Sequence, residues 1–344
     1  MKILAFESSC DETAVAVVED GRKVLSDAIA SQADMHALYG GVVPEIASRK
    51  HVEVIAVLTE QALRQASCTR EDIDAVAVTY APGLIGAVLV GLSFAKSMAF
   101  ALGVPLIPVH HVRGHIAANY LAFPELEPPF LALAISGGNT LIVDVRDYTD
   151  LHILGATRDD AAGECFDKVA RLLGFPYPGG PHIDRHGQNG DPHAIKVPMG
   201  LTQGKAGAAH PYDFSFSGVK TAVARWVESE QAAGHEIPVD DVCASLADSV
   251  ATVLARKAMR GCRQYDSNTL IVGGGFSANS QLRAKLLEFG ENYGVDVRIP
   301  QIKLCTDNGA MVAMLGVNLV EAGVAPSAPD FPIDSAMPLT KVSM

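Results

Sequence analysis

Apolar residues gather into short runs from the very start of the chain. Residues 3–7 (Ile-Leu-Ala-Phe-Glu) end in the polar stretch 8–13, residues 14–18 form a second β-like run, and after the turn 19–22 residues 24–30 form a third. Runs of this length, separated by turn residues, predict a three-stranded meander. The pattern returns at residues 129–135, 141–145 and 151–156, with turns at 136–140 and 146–150. Ser8 and Ser136, which open the two first turns, are 128 residues apart.

A second matched pair lies further along. Residues 73–79 predict a buried strand that ends in Ala81-Pro82-Gly83 and enters a helix. Residues 269–272 predict another, ending in Gly273-Gly274-Gly275 before a helix over 281–289. Each helix leads to a further strand, at 104–109 and 295–299. This pair is offset by about 190 residues, so the second half carries an insert of about 60 residues between roughly 157 and 245. Part of it, 176–198, is rich in Gly and Pro, and the rest reads as helical. The expectation is a duplicated α/β fold, with lobes at 1–125 and 126–344 and a helical and loop insert in the second. Residues 75–95 carry no charge and are numerous enough to span a bilayer. Pro82-Gly83 interrupts them and Asp74 and Lys96 bound them, which favours strand, turn and core helix, with no membrane contact.

Composition narrows the function. With 49% hydrophobic residues the chain has ample material for a core, which excludes a disordered protein. Its net charge of −12 excludes gripping nucleic acid with the whole surface. Any such contact needs a local patch or a partner; Arg49, Lys50 and His51, and Lys196, Lys205 and Lys220 in the insert, are the candidates. Six cysteines without a Cys-x-x-Cys pair read as reduced thiols, and the acidic start at Glu7, Asp11 and Glu12 does not resemble a secretory leader. Both point to the cytoplasm.

The candidate chemistry centres on His111-Val112-Arg113-Gly114-His115. On a helix, imidazoles at i and i+4 share a face and can hold a transition metal. They follow the strand 104–109; Asp307 follows the matching strand of the second half. If the halves are related by a pseudo-two-fold axis, the three converge into a two-His, one-carboxylate site suited to Fe(II) or Zn. His182 and His186 repeat the spacing between Gly/Pro-rich flanks, so that segment reads as a loop beside the ligand rather than a metal site. Gly273 to Ala278 fits G-x-G-x-x-A with Asp296 about 20 residues on, but without the repeated crossovers of a dinucleotide fold. There is no P-loop and no G-x-S-x-G.

The remaining motifs carry a resemblance. Residues 6–13 (Phe-Glu-Ser-Ser-Cys-Asp-Glu-Thr), Pro44-Glu45-Ile46-Ala47-Ser48-Arg49, the His111/His115 pair and Ser136-Gly137-Gly138-Asn139-Thr140 are similar to the TsaD family. So are residues 163–168 (Gly-Glu-Cys-Phe-Asp-Lys), Tyr177-Pro178-Gly179-Gly180-Pro181, residues 214–221, Gly273 to Asn279 and Thr306-Asp307-Asn308. These are the tRNA adenosine threonylcarbamoyltransferases of the actin-like ATPase (ribonuclease-H-like) superfamily, and the Ser-Ser-Cys-Asp-Glu-Thr form looks bacterial. The resemblance implies transfer of a threonylcarbamoyl group from threonylcarbamoyl-AMP to the exocyclic amine of the adenosine beside the anticodon, with AMP leaving. It implies metal ligands at His111, His115 and Asp307. It implies substrate contacts at Ala134, Ile135, Ser136, Gly137, Gly138, Asp167, Gly180, Asp184 and Asn279. Asp11 and Glu12 are candidate proton acceptors, though both also read as turn-stabilising residues. A shorter paralogue, TsaB, and a small ATPase, TsaE, are the implied partners, with the apolar face of the first half as the docking site. A metal-dependent peptidase is the rival reading, but position 112 is Val where a zincin carries its Glu base. A non-enzymatic ATP-binding scaffold is the other.

Overall fold

The structure is a computed structural model that describes residues 1–202, 204–328 and 330–341. In chain order, β1 (Lys2–Glu7), β2 (Glu12–Glu19) and β3 (Lys23–Ser31) are followed by α1 (Ala33–Ala37) and α2 (Pro44–Gln65). Then come β4 (Ala75–Ala81), α3 (Ile85–Leu102), β5 (Leu106–His110) and α4 (His111–Ala122). The second series is β6 (Phe130–Ile135), β7 (Thr140–Val145), β8 (Leu151–Ala156), α5 (Ala162–Leu172), α6 (Gly180–Gly187), α7 (Gly204–Ala209), α8 (Ser217–Ala232) and α9 (Val239–Gln264). It closes with β9 (Thr269–Gly273), α10 (Ser280–Tyr293), β10 (Asp296–Arg298) and α11 (Gly309–Glu321).

The duplication read from the sequence is present in the sheets. One has the order β3-β2-β1-β4-β5 and the other β8-β7-β6-β9-β10, position for position the same. In each, the first strand pairs antiparallel with the second and parallel with the fourth. β1 and β6, central in their sheets and buried on both faces, are continuous apolar runs rather than alternating ones. Residues 20–22 join β2 to β3, with Asp20 (φ 49°) and Gly21 (φ 71°) as the positive-φ centre of a turn closed by the Arg22 amide donating to the Glu19 carbonyl.

The chain divides into two contact units. The first comprises Met1–Pro128, Arg146–Leu151 and Pro300–Met344, and the second Pro129–Val145 and His152–Ile299. The expected second lobe, 126–344, therefore ends near residue 299 by contacts. The reason is α11, apolar over nearly its whole surface, which packs on β1, β2 and α4. A side chain at Gly21 would collide with Val317 of α11, so this glycine serves both the turn and the packing.

Residues 75–95, uncharged in the sequence, are strand, turn and helix as expected. Among the described residues α3 is the one helix long and apolar enough to cross a bilayer. It turns Ala87, Val88, Gly91, Leu92, Ala95 and Ala99 inward against β4 and α2. The insert, residues 157–245, supplies α5 to α8 and the start of α9; α5, α6, α8 and α9 join β6 and β9 in the core of the second unit.

Candidate metal and ligand site

In the first unit, β5 delivers the chain straight into α4, so His111 is the first residue of that helix and His115 lies one turn on. Their rings meet edge to face at 4.6 Å. Asp307 immediately precedes the start of α11, where Asn308 caps the helix by accepting from the Met311 amide at 2.8 Å. Asp27 of β3 accepts from the Gly309 amide at 3.0 Å. These bonds set the direction of the preceding carboxylate. Asp307 Oδ1 lies 3.1 Å from His115 Nε2 and 3.6 Å from His111 Nε2. Among the described residues, this is the group of His, Cys, Asp and Glu side chains whose ligand atoms all fall within 4.8 Å of one another.

The donor set fits a cation. His115 is 2% exposed, yet its Nδ1 has no hydrogen-bond partner and its Nε2 meets only Asp307 Oδ1, at 3.1 Å and poorly aligned for a hydrogen bond. Buried imidazoles are seldom left this way, because an unmet buried polar atom costs about 1–3 kcal/mol. A metal at Nε2 satisfies one of the two.

Glu7, read from the sequence only as part of the 6–13 motif, also belongs to the site. Its side chain is fully buried at the end of β1, where Oε1 accepts from the Ser9 amide at 2.6 Å and Oε2 from Thr79 Oγ1 at 2.6 Å. Oε2 also lies 3.0 Å from His111 Nδ1, with Ser9 Oγ at 3.1 Å from the same nitrogen. A signal was available only in pairs: a Glu that closes an apolar strand opposite a His that opens a helix. Burial alone would lower the His111 pKa, but Asp307 and Glu7 outweigh it and raise it to about 9. Burial would raise Asp307, but the two imidazoles bring it down to about 2. Glu7 is likewise held below the usual range against its burial, chiefly by His111.

Asp11 is buried and Glu12 half-buried on the turn after β1. Glu12 is pushed up to about 9 by burial and by the charges of Asp307 and Asp11. His51, read above as part of a basic surface with Arg49 and Lys50, is instead fully buried. Its Nε2–H donates to the Cys10 carbonyl at 2.9 Å, and Nδ1 accepts from Thr13 Oγ1 at 2.7 Å. It therefore fastens the 8–13 turn to α2. Lys50 is spoken for by Glu53 at 2.7 Å.

In the second unit the predicted substrate residues form one connected group. The turn after β6 is closed by the Ser136 amide donating to the Asn139 carbonyl and the Asn139 amide donating to Ser136 Oγ. Gly137 and Gly138 are exposed, and a Cβ at Gly137, Gly138 or Gly180 would have nothing within 4 Å. Open space beside glycines on a turn is what an anionic ligand needs to reach backbone N–H groups. The first turn of α5 lies against this turn, since a side chain at Gly163 would press on the Ser136 carbonyl and Gly137 Cα. Asp167, one turn on, accepts from the Gly179 amide at 2.7 Å, which places Gly180. Asp184 on α6 accepts from both the amide and the hydroxyl of Ser280. Asn279 caps α10 through Oδ1, while its buried Nδ2 has no partner. Gly274 (φ 93°) lies so close to the Ile135 backbone that a side chain would collide there, which ties this glycine turn to the end of β6.

Ala134 and Ile135 end the strand expected at 129–135; both are 1% exposed, and Ala134 pairs with Gly273. The segment of His182 and His186, expected as a loop, forms the two-turn helix α6. Pro181 suits its first turn, and Ile183 buries its inner face. Both rings lie against Phe175, and His186 Nδ1 is 2.6 Å from Asp240.

Residues 23–314 match the profile of the TsaD family, described as tRNA N6-adenosine threonylcarbamoyltransferase. The chain is 75% identical over 343 residues to the protein of that name from Bifidobacterium longum, covering 99% of both chains. It is 47% identical to the one from Clostridioides difficile over 313 residues, 91% of both. Among solved structures, full-length HypF in its phosphate- and nucleotide-bound form aligns at TM-score 0.61 and 15% identity, over 95% of this chain and 47% of HypF. The activator of the 2-hydroxyisocaproyl-CoA dehydratase from Clostridium difficile, with bound ADPNP, aligns at TM-score 0.56 and 11% identity, over 94% and 97%. At these identities the likeness is one of fold, the duplicated actin-like ATPase architecture.

Proposed function

This chain belongs to the TsaD family, the tRNA N6-adenosine threonylcarbamoyltransferases, and we propose that it transfers a threonylcarbamoyl group from threonylcarbamoyl-AMP to the exocyclic amine of the adenosine beside the anticodon, releasing AMP. The observation that carries the reading is the 75% identity to a transferase of that name along 99% of both chains.

His111 Nε2, His115 Nε2 and Asp307 would hold a divalent transition metal, iron(II) first and zinc second, leaving coordination positions open. Such an ion supplies Lewis acidity toward the acyl phosphate. Glu7 holds the His111 ring from behind through Nδ1. On the donor's side, the N–H groups of the Ser136–Gly138 turn and Gly180 bind its phosphate. The Asn279 amide and the Asp167 and Asp184 carboxylates bind its adenosine. In the reaction the amine nitrogen bonds to the carbamoyl carbon, the bond from that carbon to the phosphate oxygen breaks, and the amine gives up a proton. Asp11 and Glu12 are the candidate acceptors; burial and the charges of Asp307 and Asp11 favour the protonated form of Glu12.

The acidic body makes partners part of the reading. Val52 and Val57 on α2, and Ile85, Leu89 and Phe100 on α3, are 50–85% exposed, an apolar surface suited to a shorter paralogue of the first unit, with a small ATPase as the third member. The setting is the cytoplasm. The test is reconstitution with the adenylate donor and tRNA, read by mass spectrometry of tRNA nucleosides, with each partner omitted in turn. Threonylcarbamoyladenosine should form, strongly enhanced by both partners. Its absence from the complete mixture would overturn the reading, and full turnover by the isolated chain would remove the partners from it.

A further inference from the structure

A chain with 39 acidic and 27 basic side chains has few cations to spare for a polyanion, so where unpaired ones collect is informative. Arg256, Arg260 and Arg263 are exposed on the last turns of α9, spaced four and three residues apart, which puts them on one face. No carboxylate lies within ion-pair distance of any of them among the described residues. Arg256 Nη1 lies 3.4 Å from Met199 Sδ, and the Arg260 guanidinium sits over the Tyr212 ring at 5.9 Å. Tyr212 meets Tyr265, itself 43% exposed, at 6.2 Å.

The face joins the end of α9 to segments of the insert and is held in place. Lys257, on the inner side of α9 and 5% exposed, donates to the carbonyls of Leu201, His210 and Asp213. It clamps the segment bearing Tyr212 against the helix. Arg158, 53% exposed, extends the face from the end of β8, where it reaches His210 Nδ1 at 3.2 Å and Asp213 at 3.4 Å. A helix C-terminus favours cations, and that accounts for a single arginine in the last turn. It does not account for Tyr212 and Arg158, which come from other elements.

We propose that this arginine–tyrosine face of α9 is a seat for the tRNA, with the guanidinium groups on backbone phosphates and Tyr265 stacking on an unpaired base. Guanidinium forks match phosphate oxygens two at a time, and aromatic rings accept any base face. The proposal rests on the tRNA-modifying reading above, which supplies the polyanion that the charge calls for.

The test is binding of fluorescently labelled tRNA by the full-length protein, followed by anisotropy across a salt series, with partners present if the chain alone binds too weakly. The triple variant Arg256→Gln/Arg260→Gln/Arg263→Gln should bind on the order of a hundredfold more weakly at about 0.1 M salt, and the slope of log affinity against log salt should fall by about 2–3. The Lys triple variant at the same positions should keep the slope, which separates charge from folding. Tyr265→Ala should weaken binding and leave the slope alone. A control with the same charge change, Arg64→Gln/Arg70→Gln/Arg225→Gln, places it on other exposed arginines and should bind as wild type does. Unchanged affinity and slope in the α9 Gln triple, or an equal loss in the control, overturns the seat. Wild-type protein that neither binds nor modifies tRNA overturns the functional reading itself, a different outcome from intact wild-type modification with an indifferent α9 face.

Discussion

Glu7 Oε2 lies 3.0 Å from His111 Nδ1, behind the ring whose other nitrogen points toward Asp307. The carboxylate accepts a hydrogen bond from Nδ1–H, which leaves Nε2 as the nitrogen that would bind a metal in place of its proton. Two further donors, the Ser9 amide and Thr79 Oγ1, fix the carboxylate itself. Glu7→Gln keeps the volume and removes the charge. It should weaken metal binding by on the order of 10–100-fold while the fold survives. Competition with a chelator and the absorbance of the cobalt-substituted protein measure this; wild-type affinity and spectrum in the variant would strip Glu7 of the role.

The triad predicts metal content directly. Purified protein should carry about one transition-metal ion per chain, and the His111→Ala/His115→Ala variant should carry none. Elemental analysis decides it, and an unchanged metal content would falsify the assignment.

The glycine turns of the second unit make a prediction that separates ligand from fold. Open space surrounds the Cβ positions of Gly138 and Gly180, and neither has a positive φ, so a side chain can start from either without a backbone or Cβ clash. Gly138→Val and Gly180→Val should therefore unfold within about 1 kcal/mol of wild type, yet bind AMP or the adenylate donor at least tenfold more weakly. Calorimetric titration reads the binding, and wild-type affinity in both variants would remove these turns from the ligand site.

Asp27 predicts a pH dependence. Burial pushes its pKa up to about 6, and the Gly309 and Ala310 amides offset that only in part. The folded state holds the proton more tightly than the unfolded chain. The stability tied to this group is therefore fully present below about pH 4 and is lost as pH rises through 6. Against Asp27→Asn, which carries no titration there, wild type should gain about 2–3 kcal/mol on going from pH 7 to pH 4. Paired denaturant melts at the two pH values test it; a difference that stays flat, or moves the other way, would contradict the assignment.

What the sequence made legible was local or periodic. The two meanders, the glycine turns and the His111/His115 spacing are each set within a few residues, and the structure has all of them. Glu7 was missed because its burial depends on Ser9, Thr79 and His111 from three segments; alone it reads as the polar end of a strand. His51 was misread for the same reason, since its neighbours Arg49 and Lys50 are surface residues and only the 8–13 turn draws its ring inside. The helix α6 was hidden by flanking Gly and Pro, whose breaking tendency a buried Ile183 and packing on α9 overcome. The return of the chain from residue 300 onward to the first unit is a long-range packing preference of α11, with no local signature.

That return has a consequence in time. The chain leaves the ribosome from its N-terminus, so both histidines emerge 192 residues before Asp307. At bacterial rates of about 5–20 residues per second, the interval is roughly 10–40 s. Throughout it, β1 and β2 lack the apolar helix that later covers them, and the two imidazoles lack their carboxylate. A nascent or prematurely released chain thus presents both an unfinished core and an incomplete cation site, and the last helix to be made completes the two together.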